Sequence, residues 1–306
     1  VVDAAIETFR AVVNTWECDE MGHMNVRFYV ARAMDGVGSL ALALGLSPRV
    51  LRDSVLRLVP REQHLRFHRE LHPGHAIVMR GGVVRADARE LEVYQELRRA
   101  EGGTLCASIT TRLALCTSDG ALQSFDERVL QGARALSVAV PEHGLPRGLV
   151  LGQPSAAMSL DDAFKLGLHA VYRGQVRDED CDRTGLMRIE AFMGRISDGV
   201  PHFFQSLGGL TRDPSQGLGG AALEYRLIYR AFPRAGDIIE IRSGLRAQRG
   251  KTTEFCNFLF DAESGACIMS SDAVAVMFDM RLRKAIAPPP EVVERLSSQA
   301  IPGLKV

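Results

Sequence analysis

Trp16-Glu17-Cys18-Asp19-Glu20-Met21-Gly22-His23-Met24-Asn25-Val26-Arg27-Phe28-Tyr29 runs through an Asp-x-x-Gly turn into the start of a helix. Asp19 and Gly22 have the spacing of a tight turn, and Asn25 is the residue type that caps a helix by accepting an orphan backbone N–H. From there Val26, Val30, Ala33, Val37, Leu40 and Leu44 recur at intervals of three and four. That spacing predicts a helix of about five turns with one buried face.

The same pattern returns 163 residues later, where Asp182 falls on Asp19. Between Val13 and Val37 nine of the 25 positions are identical in the shifted copy: Val176, Cys181, Asp182, Gly185, Met187, Arg195, Asp198, Gly199 and Val200. The apolar stripe repeats as Ile189, Met193, Ile196, Val200, Phe203 and Leu207. A half-chain period signals a duplicated domain rather than a solenoid. Pro201 lies inside the second stripe, and the expectation there is a kink or a split, because proline removes a ladder donor.

Each stripe is followed by segments with β character, bounded by Gly and Pro. These are Leu56 to Leu71, Ile77 to Val84, Leu91 to Arg98 and Leu105 to Leu115, then Ala221 to Ala231, Ile238 to Leu245, Thr253 to Phe260 and Cys267 to Met277. A strand before each helix, around Phe9 to Thr15 and Ala170 to Val176, gives β-α-β-β-β-β per half, with a meander as the natural connection. The fold class is therefore α+β. Residues 1–140 and 166–306 are expected as the two domains, and 141–165, rich in Pro, Gly, Ser and Asp, as the linker.

Composition narrows the function. The 306 residues carry 37 basic and 37 acidic side chains, for a net charge of +0, with no Lys/Arg run. Non-specific nucleic-acid binding needs a basic excess or face, so no nucleic-acid partner is expected. No stretch approaches the ~18 apolar residues of a membrane span, and Val1 to Arg10 is too acidic for a signal peptide; the expectation is a cytoplasmic protein with no membrane partner. Cys18, Cys106, Cys116, Cys181, Cys256 and Cys267 lie in apolar surroundings without any CxxC and read as reduced core thiols.

The chemistry concentrates at the quoted stretch. A helix start offers free N–H donors and a partial positive charge that would polarise a carbonyl oxygen. An aspartate beside it could attack the carbonyl carbon or take a proton from water, and the two together suffice for acyl transfer. The segment Asp19-x-x-Gly22-His23-x-Asn25, followed by Phe28-Tyr29, resembles hotdog-fold thioesterases of the 4-hydroxybenzoyl-CoA thioesterase type. Its Asp/His/Asn spacing also resembles plant acyl-ACP thioesterases, which are tandem hotdogs.

The resemblance implies two tandem hotdog domains, each an antiparallel sheet wrapped around a long central helix, and a thioester hydrolase acting on an acyl-CoA or aryl-CoA. It implies Asp19 as nucleophile or general base, with His23 and Asn25 orienting the thioester or water. Gly22, Val26 and Tyr29 would line the carbonyl site, and Asp182 and Gly185 would mark its second copy. There Leu186 and Arg188 replace the His and Asn. Gln248 to Thr253 resembles the basic segment that holds CoA phosphates, which assigns Arg249, Lys251 and Thr252 to that task, with Arg89 in the matching place of the first half. Coenzyme A would be part of the substrate, with no separate cofactor and no metal, and association into a homodimer is compatible with the pattern.

Blander readings stand beside these. Asp19 and Gly22 could serve only as a cap. Asp35 and Asp198, each followed by glycine, suggest a packing role or a bond to the neighbouring half. His64, His68, His72 and His75 would stand about 13 Å apart if successive members lay four apart on a strand, too far to share an ion. Gly250-Lys251-Thr252 ends like a P-loop, but Leu245 occupies its first glycine. The rival functions are a hotdog hydratase or dehydratase and a non-catalytic acyl-CoA-binding module.

Overall fold

The computed structural model describes residues 4–208 and 217–306, so Val1 to Asp3 of the stretch weighed as a signal peptide lie outside the described residues. The chain divides into two compact units, Val1–Pro146 and Arg147–Val306. Glu142–Gly144 forms a 3-10 turn and Leu160–Lys165 a short helix inside the segment expected as linker.

In the first unit β1 (Ile6–Val12) leads through a 3-10 turn (Thr15–Glu17) to α1 (Val26–Ala43). A short helix α2 (Pro48–Asp53) follows, then β2 (Leu56–Phe67), β3 (Ala76–Ala86), β4 (Leu91–Arg99), β5 (Leu105–Thr117), a two-residue strand β6 (Leu122–Gln123) and α3 (Glu127–Ala135). The sheet is antiparallel in the order β1-β3-β4-β5-β2, with β6 pairing β5. After the short helix α4 (Leu160–Lys165) the second unit repeats this with β7 (His169–Gln175), α5 (Ile189–Ser206), β8 (Leu218–Tyr229), β9 (Ile238–Arg249), β10 (Thr252–Asp261) and β11 (Cys267–Asp279), in the order β7-β9-β10-β11-β8. Each unit is a hotdog: a long helix against a five-stranded antiparallel sheet.

Two expectations are corrected. The four long strands are not a simple meander, because β2 pairs with β5 rather than with β3. The free edge of β3 is taken by β1, and the β2–β3 connection is tied to that strand's end, with Val13 N–H donating to His75 O at 2.9 Å and Gly74 N–H to Val13 O at 2.8 Å. Pro201 does not split the second helix, which runs unbroken from Ile189 to Ser206. Burial of Ile196 and Phe203 on either side holds the turn that the missing donor would loosen.

The helix lies on the sheet through a glycine. A Cβ on Gly36 would stand 2.1 Å from Gln95 Nε2 and 3.0 Å from both Met79 Sδ and Thr8 Oγ1; one on Gly199 would stand 2.9 Å from Val171 Cγ2. The recurring glycines are thus packing positions. Asp35 and Asp198, by contrast, are largely exposed and pair with Arg32 and Arg195 of their own helices, at 3.1 and 3.4 Å. Of the six thiols, Cys18 and Cys181 are only half-buried, so the core reading holds for the other four.

On the sheet face away from α1, residues 137–145 cross Tyr94, Glu96 and Ser108. His143 Nε2 lies 2.6 Å from Glu96 Oε1, and Arg66 Nη1 donates to Leu145 O at 2.6 Å. Burial alone would raise the Glu96 carboxyl, but the bonds from His143, Arg98 and Tyr94 outweigh it and hold it below its ordinary value. Under this crossing, burial and the nearby Arg66 push His68 down to about 4.

Two outcomes follow from this packing. Gly36→Val lowers stability by about 1–3 kcal/mol, read as a lower urea midpoint at unchanged slope, because the core beside Gln95 has no room. The unfolded chain takes up a proton on His68 at higher pH than the folded chain, so this group's contribution is complete above pH 6.5 and is lost as the pH falls toward 4. The urea midpoint therefore drops between pH 7 and pH 4.5, and His68→Gln flattens the drop.

Candidate active site

The turn at Asp19 is held from below. Glu17 is 1% exposed and bonds the Arg32 guanidinium nearly two helical turns into α1, while its other oxygen accepts the Asn14 N–H at 2.7 Å. Arg32 also lies over the Phe9 ring, 5.1 Å from its centroid. This couples β1, the 3-10 turn and the helix in one contact set. Asn25 N–H donates to Glu17 O at 2.9 Å, which fixes where the helix begins.

The turn itself closes with Gly22 N–H donating to Asp19 O at 2.9 Å and Asp19 N–H to His23 O at 3.0 Å. Gly22 has φ +75°, the left-handed conformation that favours glycine there. Asn25 caps α1 as the sequence predicts, its Oδ1 accepting the Arg27 N–H at 2.9 Å. The Val26 N–H, first of the helix, has no hydrogen-bond partner among the described residues.

Asp19 and His23 are each 17% exposed at the side chain. Asp19 Oδ1 accepts the Met21 N–H at 3.0 Å, and Oδ2 stands 3.5 Å from His23 Nε2. His23 Nδ1 lies 3.2 Å from Glu70 Oε1, and Glu70 Oε2 lies 3.6 Å from His72 Nε2. Two carboxylates and two imidazoles therefore alternate along one edge of the turn. Glu70 and His72 are absent from the sequence assignment. They sit some fifty residues away, and the connection after β2 brings them in through Met24 N–H donating to Leu71 O at 2.7 Å.

Other assigned residues fall elsewhere. Tyr29 is buried with its ring edge-on to Phe67 at 5.1 Å, and burial pushes its phenol well up; the Leu71 N–H bonds its oxygen. It forms the wall beneath the turn. Arg89 is exposed in the β3–β4 turn, at the opposite end of β3 from Ala76, about 33 Å away for ten strand steps. Within this unit it stands far from Asp19. Arg249 and Lys251 are exposed at the β9–β10 turn, where Arg249 pairs with Glu254 at 2.9 Å and Thr252 Oγ1 donates to Arg249 O at 2.9 Å.

His72 and His75 lie in the turn after β2, not on a strand, with ring centroids 5.6 Å apart, so the strand-distance argument fails for that pair. Among the described residues no group of three or more His, Cys, Asp or Glu side chains is arranged to hold a metal.

The model of the thioesterase-like superfamily matches residues 13–143 and 176–296, one stretch in each unit. The chain belongs to the thioesterase-like superfamily. Solved structures of like fold are a putative oleoyl thioesterase from Lactobacillus plantarum (TM-score 0.69, 12% identity, 89% of this chain and 96% of that one) and an acyl-ACP thioesterase from Bacteroides thetaiotaomicron (0.67, 10%, 89% and 98%). The 12:0-ACP thioesterase from Umbellularia californica is similar at 0.65 and 11%, over 90% of this chain and 95% of that one. No curated protein matches.

The thioesterase superfamily match covers both turns, but they differ in chemistry. The second keeps the frame: Asp180 bonds Arg195, Arg195 lies over Tyr172 at 5.7 Å, and Gly185 has φ +77°. Asp182 Oδ1 accepts three donors, from Thr184 N–H at 2.7 Å, Thr184 Oγ1 at 2.5 Å and Leu186 N–H at 3.4 Å. Leu186 stands in the place of His23. Met187 N–H donates to Pro233 O at 2.8 Å as Met24 does to Leu71 O, which puts Phe232 in the place of Glu70. Phe232 packs among Phe192 and Tyr229.

The frame and the chemistry can be separated experimentally. Glu17→Ala leaves the Arg32 guanidinium with the exposed Asp35 as counter-charge and removes the buried acid, and lowers stability by about 3 kcal/mol, the lower end for a broken buried pair because Arg32 keeps Asp35 and some solvent. A urea midpoint equal to wild type would show that the pair does not hold the turn.

Proposed function

We propose that the chain hydrolyses an acyl or aryl thioester of coenzyme A to the free acid and CoA, with Asp19 as the catalytic carboxylate. The observation that carries this is one arrangement: the Asp19 carboxylate faces an imidazole at 3.5 Å in a turn that opens onto the first, uncapped N–H of a long helix. A thioester carbonyl directed at the Val26 N–H would be polarised by that donor and by the helix dipole.

Water held between Asp19 Oδ2 and His23 Nε2 then attacks the carbonyl carbon. Asp19 takes the water proton as the C–O bond forms, the negative oxygen rests on the Val26 N–H, and the C–S bond breaks. The proton passes to the departing thiolate. Direct attack by Asp19, with an anhydride opened by water, leads to the same products. General base and oxyanion donor each contribute about 10²-fold or more. Glu70 Oε1 lies 3.2 Å from His23 Nδ1 without a hydrogen bond between them, so it acts on the ring through its charge.

The arrangement at Asp19 does not include the CoA contacts that the resemblance implies: Arg89 stands far from it within the first unit, and Arg249, Lys251 and Thr252 belong to the second. The second turn is assigned a scaffold role, since Leu186 and Phe232 supply neither proton acceptor nor counter-charge beside Asp182. The like-folded proteins named for acyl-ACP make a carrier-protein thioester the second substrate to assay.

A thiol reagent follows release from short, branched, long and aromatic acyl-CoAs, and from the same chains on acyl carrier protein. Turnover on a CoA thioester is expected, and Asp19→Asn is expected to lower kcat by about 10²–10⁴-fold with little change in Tm. Undiminished turnover in Asp19→Asn would overturn the assignment; no turnover on any thioester, with acyl-CoA still bound, would leave a binding module.

A further inference from the structure

His72 is not used by the reaction as written, yet it touches the catalytic turn twice. Its Nδ1 lies 2.7 Å from the Gly22 carbonyl oxygen, so Nδ1 carries a proton and donates it to the turn. Its Nε2 lies 3.6 Å from Glu70 Oε2, the carboxylate whose other oxygen faces His23. One acid thus stands between two imidazoles. His72 is also the more open of them, 38% exposed against 17% for His23.

The ring is braced from its own loop. His72 N–H donates to His75 Nδ1 at 3.0 Å, which leaves that nitrogen without a proton, and burial together with Arg99 pushes the His75 pKa down. The titratable and charged groups around His72 are therefore Glu70 and His75 on the loop, Asp19 and His23 on the turn, and Arg99 of β4 behind His75. Glu70 presents a carboxylate oxygen to Nε2 at 3.6 Å.

We propose that His72 is a positioning residue that fixes the Asp19–Gly22 turn and makes the hold of Glu70 on His23 depend on pH. This rests on the reading of Asp19 and His23 as the catalytic pair. With His72 neutral, the Glu70 charge acts on His23 Nδ1 without a competing cation at His72. With His72 protonated, the Glu70 charge is drawn to Nε2 and its grip on His23 Nδ1 weakens, so catalysis falls as solvent acidifies.

Two variants separate this from simple bracing. Asparagine keeps an N–H where Nδ1 stands but cannot titrate; alanine keeps neither. At pH 8, His72→Ala is expected to lower kcat about tenfold with KM within about twofold, as for a misplaced catalytic group, and His72→Asn to restore it. The acid limb of kcat in His72→Asn is expected to move to lower pH by about half a unit or more. Acid limbs that coincide for wild type and His72→Asn would overturn the proposal, as would full kcat in His72→Ala. If His72→Ala fails to fold, the asparagine profile alone decides. Asp19→Asn, run alongside, tells failure of this inference from failure of the hydrolase reading, since only the latter leaves that variant active.

Discussion

A buried acid bonded to an arginine nearly two helical turns inside the following helix sets the geometry on which the rest depends. Glu17 with Arg32, and Asp180 with Arg195, lie at equivalent places in the two units. In each case the guanidinium also covers an aromatic ring of the preceding strand, Phe9 or Tyr172. A charge pair shielded in this way is costly to break, because the buried acid would be left without its counter-charge away from water. Strand end, tight turn and helix start are consequently locked in register, and the turn is free to carry residues chosen for chemistry rather than for folding.

The two copies use that freedom differently. In the first unit the turn carries His23 and meets Glu70 and His72 from the connection after β2. In the second the same places hold Leu186 and Phe232, and the aspartate is engaged by Thr184. The framework survives in both while the polar network survives in one. A duplicated chain needs two frames to fold, but nothing in that requirement preserves a second set of titrating groups. The superfamily match across both stretches is a match to the shared framework and does not distinguish a working turn from a silent one.

Much of this is legible in the amino-acid order. The 163-residue offset, both helices and the long strands follow from periodicity and turn residues, since a helix stripe and a β run differ in their apolar spacing. What escaped is what depends on closing the sheet. Pairing of β2 with β5 is set by β1 taking the edge of β3, a choice no local pattern contains. Glu70 and His72 reach the turn only because that connection is pinned to Met24 and Val13. A signal did exist: Glu70 aligns with Phe232, a polar-to-aromatic change at the positions where His23 becomes Leu186, and paired departures from a repeat mark where the copies differ in task. The split expected at Pro201 is absent because the packing of Ile196 and Phe203 outweighs local propensity.

The central claim is that the polar turn of the first unit, and not its apolar copy, does the chemistry. The most direct measurement is the steady-state rate of thiol release from the best acyl-CoA by Asp182→Asn, with folding checked by Tm. The account predicts a kcat within about a fifth of wild type, because a residue outside the reacting centre contributes nothing to the transition state. A loss of about half the activity or more in that variant would contradict it, and would mean that the second turn reacts with Leu186 and Phe232 in the places of His23 and Glu70.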